Sequence, residues 1–203
     1  MILKNVVVLA NSVKHQQHCV AGKCVSTKIW VRPVSNAEGA ELSTLQAKYQ
    51  NPHGEFLVKP KQKIRMNFRS AVPLLHQPEN FLISGSKWIQ NYFITDDELE
   101  NYLDEPENLW GTEDRVNYNC INSKRIVISQ SLYLVSVDDL RLYKNDTRRR
   151  ASFTYNEIEY DLAVTDPKFD GIYQEHEKGT GIICVSLGEV FQGFCYKLVA
   201  TIF

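Results

Sequence analysis

Residues 2–35 read ILKNVVVLANSVKHQQHCVAGKCVSTKIWVRPVS, and the fold turns on how this stretch divides. Val6-Val7-Val8-Leu9-Ala10 is too short to cross a bilayer and too β-branched for a comfortable helix, so it reads as a buried strand. The run stops at Asn11-Ser12. Val13 to His18 shows neither helical nor strand periodicity, and small apolar residues return at Cys19-Val20-Ala21-Gly22. The expectation is a polar loop joining two strands, Val6 to Ala10 and Ile29 to Val34, which lie side by side in one barrel. Asn11, Ser12 and Lys14 then leave the end of the first strand, and Arg32 approaches the same rim from the second.

The chain has 203 residues and is 43% hydrophobic, enough for one large or two small domains with real cores. A formal net charge of −1 gives no global basic field, so contact with a polyanion has to come from a local patch. Five cysteines, an odd number, with no signal-peptide pattern at the start, argue against a secreted disulfide framework and for a reducing cytoplasm. No window approaches the roughly 20 apolar residues of a membrane span.

Leu42 to Tyr49 has the pattern of a two-turn helix ended by Pro52 and Gly54. Lys59 to Phe68 alternates charge with bulk and reads as a strand whose cations line one face. Pro78 and Glu79 suggest the first turn of a helix. Thr95 before Asp96-Asp97-Glu98 is a capping box. Strand-length β-branched or aromatic runs then follow at Arg125–Ser129, Ser131–Val137, Arg149–Tyr155, Ile158–Val164, Gly181–Leu187 and Tyr196–Phe203, with a hairpin turn at Asn156-Glu157. The reading is mainly β: two tandem OB-like β-barrels, 1–75 and 123–203, joined by a partly helical acidic connector, 76–122. A single β-rich domain with an insertion is the alternative.

Several motifs, taken in order, carry a resemblance. They are Leu9-Ala10-Asn11-Ser12-x-Lys14, Cys19-Val20-Ala21-Gly22, Trp30-Val31-Arg32-Pro33-Val34-Ser35, His76-Gln77-Pro78-Glu79-Asn80, Leu162-Ala163-Val164-Thr165-Asp166-Pro167, Val185-Ser186-Leu187-Gly188-Glu189 and Cys195-Tyr196-Lys197-Leu198-Val199-Ala200. Together they resemble the dual-OB-domain family of prokaryotic conflict and defence systems. The resemblance implies two oligonucleotide-binding barrels, a nucleic-acid or nucleotide-derived ligand and a protein partner from a defence operon. The loop after Asn11-Ser12 departs from the family's basic, glycine-containing run.

Amide, hydroxyl, ammonium and guanidinium at Asn11, Ser12, Lys14 and Arg32 suit phosphate and sugar oxygens. The alternative is a turn at Asn11-Ser12 and an acid paired with Arg32. Trp30 is either core or a platform for a base. Gln77 and Asn80 have the polarity to read a base edge, and Glu79 can serve a helix dipole. Asp166 is either a turn cap or an acid at the ligand. Arg148-Arg149-Arg150, close to Phe153 and Tyr155, is the basic and aromatic patch of the second barrel, or else a solvated hairpin shoulder. His15, His18, Cys19 and Cys24 lack the paired spacing of a zinc site, so no metal is expected. Gly22-Lys23 lacks the flanking residues of a P-loop, and no cofactor is expected. No catalytic residue is identified. Three functions follow: a nucleic-acid or nucleotide binder, an enzyme acting on such a ligand around Asn11, Lys14, Arg32 and Asp166, and a protein-interaction subunit of a defence complex.

Overall fold

The computed structural model describes residues 1–14, 17–175 and 179–203, with the side chains of Lys14, Asn91, Gln174 and Glu175 left aside. The chain divides into two units, Met1–Tyr102 and Leu103–Phe203. The stretch 76–122, expected as a connector, is shared between them.

The first unit contains β1 (Ile2–Lys14), β2 (Gln17–Cys24), β3 (Trp30–Val34), β4 (Lys48–Asn51), β5 (Gly54–Leu57), β6 (Gln62–Ala71), β7 (Asn80–Ile83), β8 (Trp88–Phe93) and α1 (Asp96–Glu100). Strands β1, β2, β3, β7 and β6 pair in that order, and β6 pairs back onto β1, closing a five-stranded barrel. Only the β3–β7 pair is parallel within the ring. Val6, Val8, Val31, Ile64, Met66 and Phe68 fill the interior. β8, β4 and β5 extend the sheet beyond β6.

The second unit holds β9 (Arg115–Asn117), α2 (Tyr118–Asn122), β10 (Leu132–Asn145), β11 (Arg148–Tyr155), β12 (Ile158–Val164), α3 (Phe169–Glu175), β13 (Gly179–Phe191) and β14 (Phe194–Ile202). Its ring runs β10, β11, β12, β14, β13 and back to β10, again with one parallel pair, β12–β14. The two barrels share one topology. They differ after the third strand, where the first inserts the β4–β5 hairpin and the second the helix α3.

Three expectations change. Leu42 to Tyr49 is not a helix: Ser43 and Gln46 exchange side-chain to backbone hydrogen bonds that hold a turn, and Leu42, Ala47 and Tyr49 enter the core. Pro78 and Glu79 lead into a strand, because β7 is the partner that closes the ring on β3. Arg125–Ser129 is not a strand, since Val127 is exposed and Ile128 alone turns into a core. By contrast, the Thr95–Glu98 capping box forms as read. So does the Asn156-Glu157 hairpin, with both residues at positive φ in place of glycine.

β1 is reached by β2 through a close approach at Gly22. A Cβ there would lie 2.1 Å from the Val7 carbonyl oxygen, which belongs to the backbone and cannot swing aside. Gly22→Ala is therefore expected to destabilise the first unit by about 1–3 kcal/mol, seen as a lower denaturation midpoint. An unchanged midpoint would mean that β1 and β2 part there without cost.

Candidate functional site

The rim nominated by sequence is not a rim. β2 lies between β1 and β3, pairing Val8 through Gly22 to Val31, and most of the stretch expected as a loop is strand. Asn11 donates from Nδ2 to the Val58 carbonyl at 2.7 Å and places Oδ1 3.1 Å from His18 Nδ1. Ser12 stands opposite Cys19 in the β1–β2 ladder. Lys14 is the last residue of β1; its side chain and His15 lie outside the described residues.

Arg32 is 8% exposed, and its Nε donates to Glu79 Oε1 at 3.2 Å. It faces the barrel's own polar cluster and not solvent, so a phosphate role is replaced by an internal ion pair. Gln77 and Asn80 belong to that cluster, with Asn80 Nδ2 donating to Gln77 Oε1 at 3.4 Å. Both are buried, and neither offers a free edge to a base. His76 closes the group, its pKa lowered by burial and then by Arg32.

Trp30 is 2% exposed. It alternates with core-facing Val31, so it points outward from the barrel, yet it is covered. Lys23, opposite Trp30 in the ladder, donates from Nζ to the Tyr102 carbonyl at 2.7 Å, and its ammonium lies 5.3 Å from the Trp30 ring. Lys28 Nζ sits 3.5 Å from the centre of the Tyr102 ring. The second- and third-strand face, which OB barrels commonly use for oligonucleotides, is thus closed in the first unit by the segment around Tyr102. Trp30 is not available as a platform.

In the second unit Asp166 caps its own turn. One carboxylate oxygen accepts from Lys168 N at 2.8 Å and the other from Ile202 N at 2.9 Å. Arg149 pairs with Asp170, and Arg150 with Asp161 at 3.1 Å, which leaves Arg148 as the exposed member of the run. Asp170 also holds Lys144 at 2.8 Å, so two of the three arginines are already paired within the shoulder. Of the buried nucleophiles, Cys24 has its thiol pushed up by burial but brought down to about 7 by hydrogen bonds with Ser26 and Thr27, and it is sealed in the core.

A different face carries unopposed charge. Residues 1–102 hold 12 Lys and Arg against 8 Asp and Glu, whereas residues 103–203 hold 11 against 16. Whole-chain neutrality conceals a basic first unit. Moreover, β1, β2, β3, β6, β7 and β8 contain no acidic residue, the acids lying in loops, β5 and α1. Along β6, Gln62, Ile64, Met66 and Phe68 are buried while Lys63, Arg65 and Asn67 point outward, with Arg69 exposed beyond them. This is the one-sided cationic strand that the alternation of Lys59 to Phe68 predicts. Among the described residues, Arg65 and Arg69 form no ion pair, whereas Lys61, just before β6, holds Asp96 at 2.6 Å. Asn5 and Leu3 lie beside Arg65 and Asn67 on β1, and Ile89 and Tyr92 beside Arg65 and Lys63 on β8.

The buried cluster is structural and titratable, and two measurements read these properties. Glu79→Ala leaves Arg32 buried without its carboxylate and is expected to cost about 3–5 kcal/mol of stability, read by chemical denaturation. A loss below about 1 kcal/mol would show that the pair is not structural. Burial lowers the pKa values of His76 and His18. On acidification the unfolded chain therefore takes up protons before the folded one, and stability, full above about pH 6.5, falls below it. His76→Gln should flatten part of that decline in an acid titration of the midpoint.

No curated protein matches the sequence significantly. Six chains of known structure match. One is a murine DNA-binding protein bound to double-stranded DNA, at 10% identity over 100% of this chain and 97% of that one, with a TM-score of 0.42. Another is the tetrameric p202 HIN2, at 9% identity over 98% and 88%, with a TM-score of 0.37. At these scores neither constrains how this chain binds. The model of the dual OB-containing domain family matches residues 4–202, the chain folds into two barrels of the same closed topology, and the protein belongs to that family.

Proposed function

We propose that the protein is a nucleic-acid-binding module that engages its ligand on the outer face of β1, β6 and β8, and that, as the family resemblance implies, it serves in the cytoplasm as a component of a prokaryotic defence system. The observation that carries the binding reading is the cation row of β6, Lys63, Arg65 and Arg69, on strands free of acids. A polyanion neutralised there meets no opposing carboxylate, and it releases counterions on binding. Alternate residues of a strand stand about 6.8 Å apart, a repeat along which successive phosphates of an extended chain can be met. Arg65 and Arg69 are further suited because a guanidinium grips phosphate in two places. A binding module is favoured over an enzyme because this face is an open strand surface of cations and not an enclosed pocket.

Titrating a labelled oligothymidylate at about 50 and 200 mM salt should show affinity falling steeply with salt. Arg65→Ala and Arg69→Ala should each weaken binding regardless of sequence and lower the salt slope by about one. Arg148→Ala, on the shoulder whose other two arginines are ion-paired, should change little. Unchanged slopes in folded Arg65 and Arg69 variants, with loss in the Arg148 variant, would move the interface to the second barrel.

A further inference from the structure

Resting on that reading, we infer that the ligand of the β1–β6–β8 face is single-stranded, with its phosphates along β6 and a base stacked on Tyr92. The register of β8 carries the argument. Arg65 pairs with Ile89 and Ile64 with Gln90, but Lys63 pairs with Tyr92, so Asn91 is an extra residue in the ladder. Ile89 and Tyr92 are three apart, and in an unbroken strand they would point to opposite faces. The bulge brings both onto the outward side, next to Arg65 and Lys63. Re-aiming a side chain is what such an insertion does.

The tyrosine so placed is 46% exposed, and Lys63 holds it: Nζ lies 4.5 Å from the ring centre and 3.3 Å from the phenol oxygen. An aromatic ring at the surface, steadied by a cation over one face, is prepared to stack a base on the other. Leu3 and Ile89 are also exposed and flank the cations on β1 and β8. A duplex turns its phosphates outward and keeps its bases stacked inside, so it would set charge against these apolar side chains and gain nothing from Tyr92. A single strand can place bases on Tyr92, Ile89 and Leu3 while its phosphates reach Arg65 and Arg69. An acidic peptide would satisfy the arginines and leave Tyr92 unused.

The test compares labelled oligothymidylate with a duplex of equal length, and sets polyglutamate as competitor. The folded parent should prefer the single strand. Tyr92→Leu, which keeps bulk and removes the π face, should weaken single-strand binding about 5- to 150-fold, the equivalent of about 1–3 kcal/mol. Tyr92→Phe should retain most of it, which excludes a role confined to the hydroxyl. Equal or tighter binding of the duplex, efficient competition by polyglutamate, or parental affinity in a Tyr92→Leu variant of unchanged melting temperature would overturn the inference. If Arg65→Ala and Arg69→Ala weaken binding while Tyr92→Leu does not, the base platform falls and the general nucleic-acid reading stands. If no nucleic acid binds at all, both fall.

Discussion

Each barrel depends on one parallel strand pair. Three of the five joins in the ring are hairpins or short returns and the first strand meets the fourth antiparallel across a longer connection, but the third strand must meet the fifth in parallel, again across a connection whose closure entropy must be overcome. Those joins are short: three residues of β3 against β7 and two of β12 against β14. In both units a buried carboxylate sits beside the join. Glu79, immediately before β7, accepts from Arg32 on β3, and the Glu79 carbonyl accepts from Arg32 N. Asp166, just after β12, accepts from the backbone of Ile202 at the end of β14. Different residue types thus pin the same topological seam.

The seam explains why the polar residues that looked most like a binding site are internal. A side chain with strong donors is useful to a phosphate, and equally useful where two strands must be held without a hairpin between them. Arg32, Gln77, Glu79, Asn80 and Asp166 are spent on closure, and their burial makes each bond costly to lose. Asn80 Oδ1 is a buried atom of this cluster with no hydrogen-bond partner among the described atoms.

Much of the architecture was legible in the chain because its signals are local. The strands at Ile158–Val164 and Arg149–Tyr155 follow from β-branched and aromatic alternation, and the Thr95 capping box from three residues. What escaped was non-local. Nothing in Asn80-Phe81-Leu82-Ile83 announces that it will pair with Arg32-Pro33-Val34, 48 residues away in register, and without that pairing Pro78-Glu79 resembles the start of a helix. Trp30 shows the same gap. Its neighbours mark it as strand, but whether its outward face is open depends on Tyr102 lying over Lys23. The cation row of β6 was legible for the opposite reason, since a period of two with charge on one side and bulk on the other already specifies which side is wet.

Charge placement decides what the open surfaces can do. Averaged over the chain, Lys and Arg nearly balance Asp and Glu, and a uniform distribution would give a surface with little pull on a polyanion. The division into a basic and an acidic unit changes that, because screening confines each charge's influence to about 8–10 Å at moderate salt. A ligand on β6 therefore senses Lys63, Arg65 and Arg69 more than any acid lying beyond that range. Where cations do have acidic neighbours, as Arg149 has Asp170 and Arg150 has Asp161, the guanidinium is already occupied and the attraction is cancelled locally. The count of basic residues in a patch is thus a poor guide to its field, and the count of those left without a carboxylate is a better one. By that measure the face built from β1, β6 and β8 stands above the arginine run of β11, although the latter has the denser sequence.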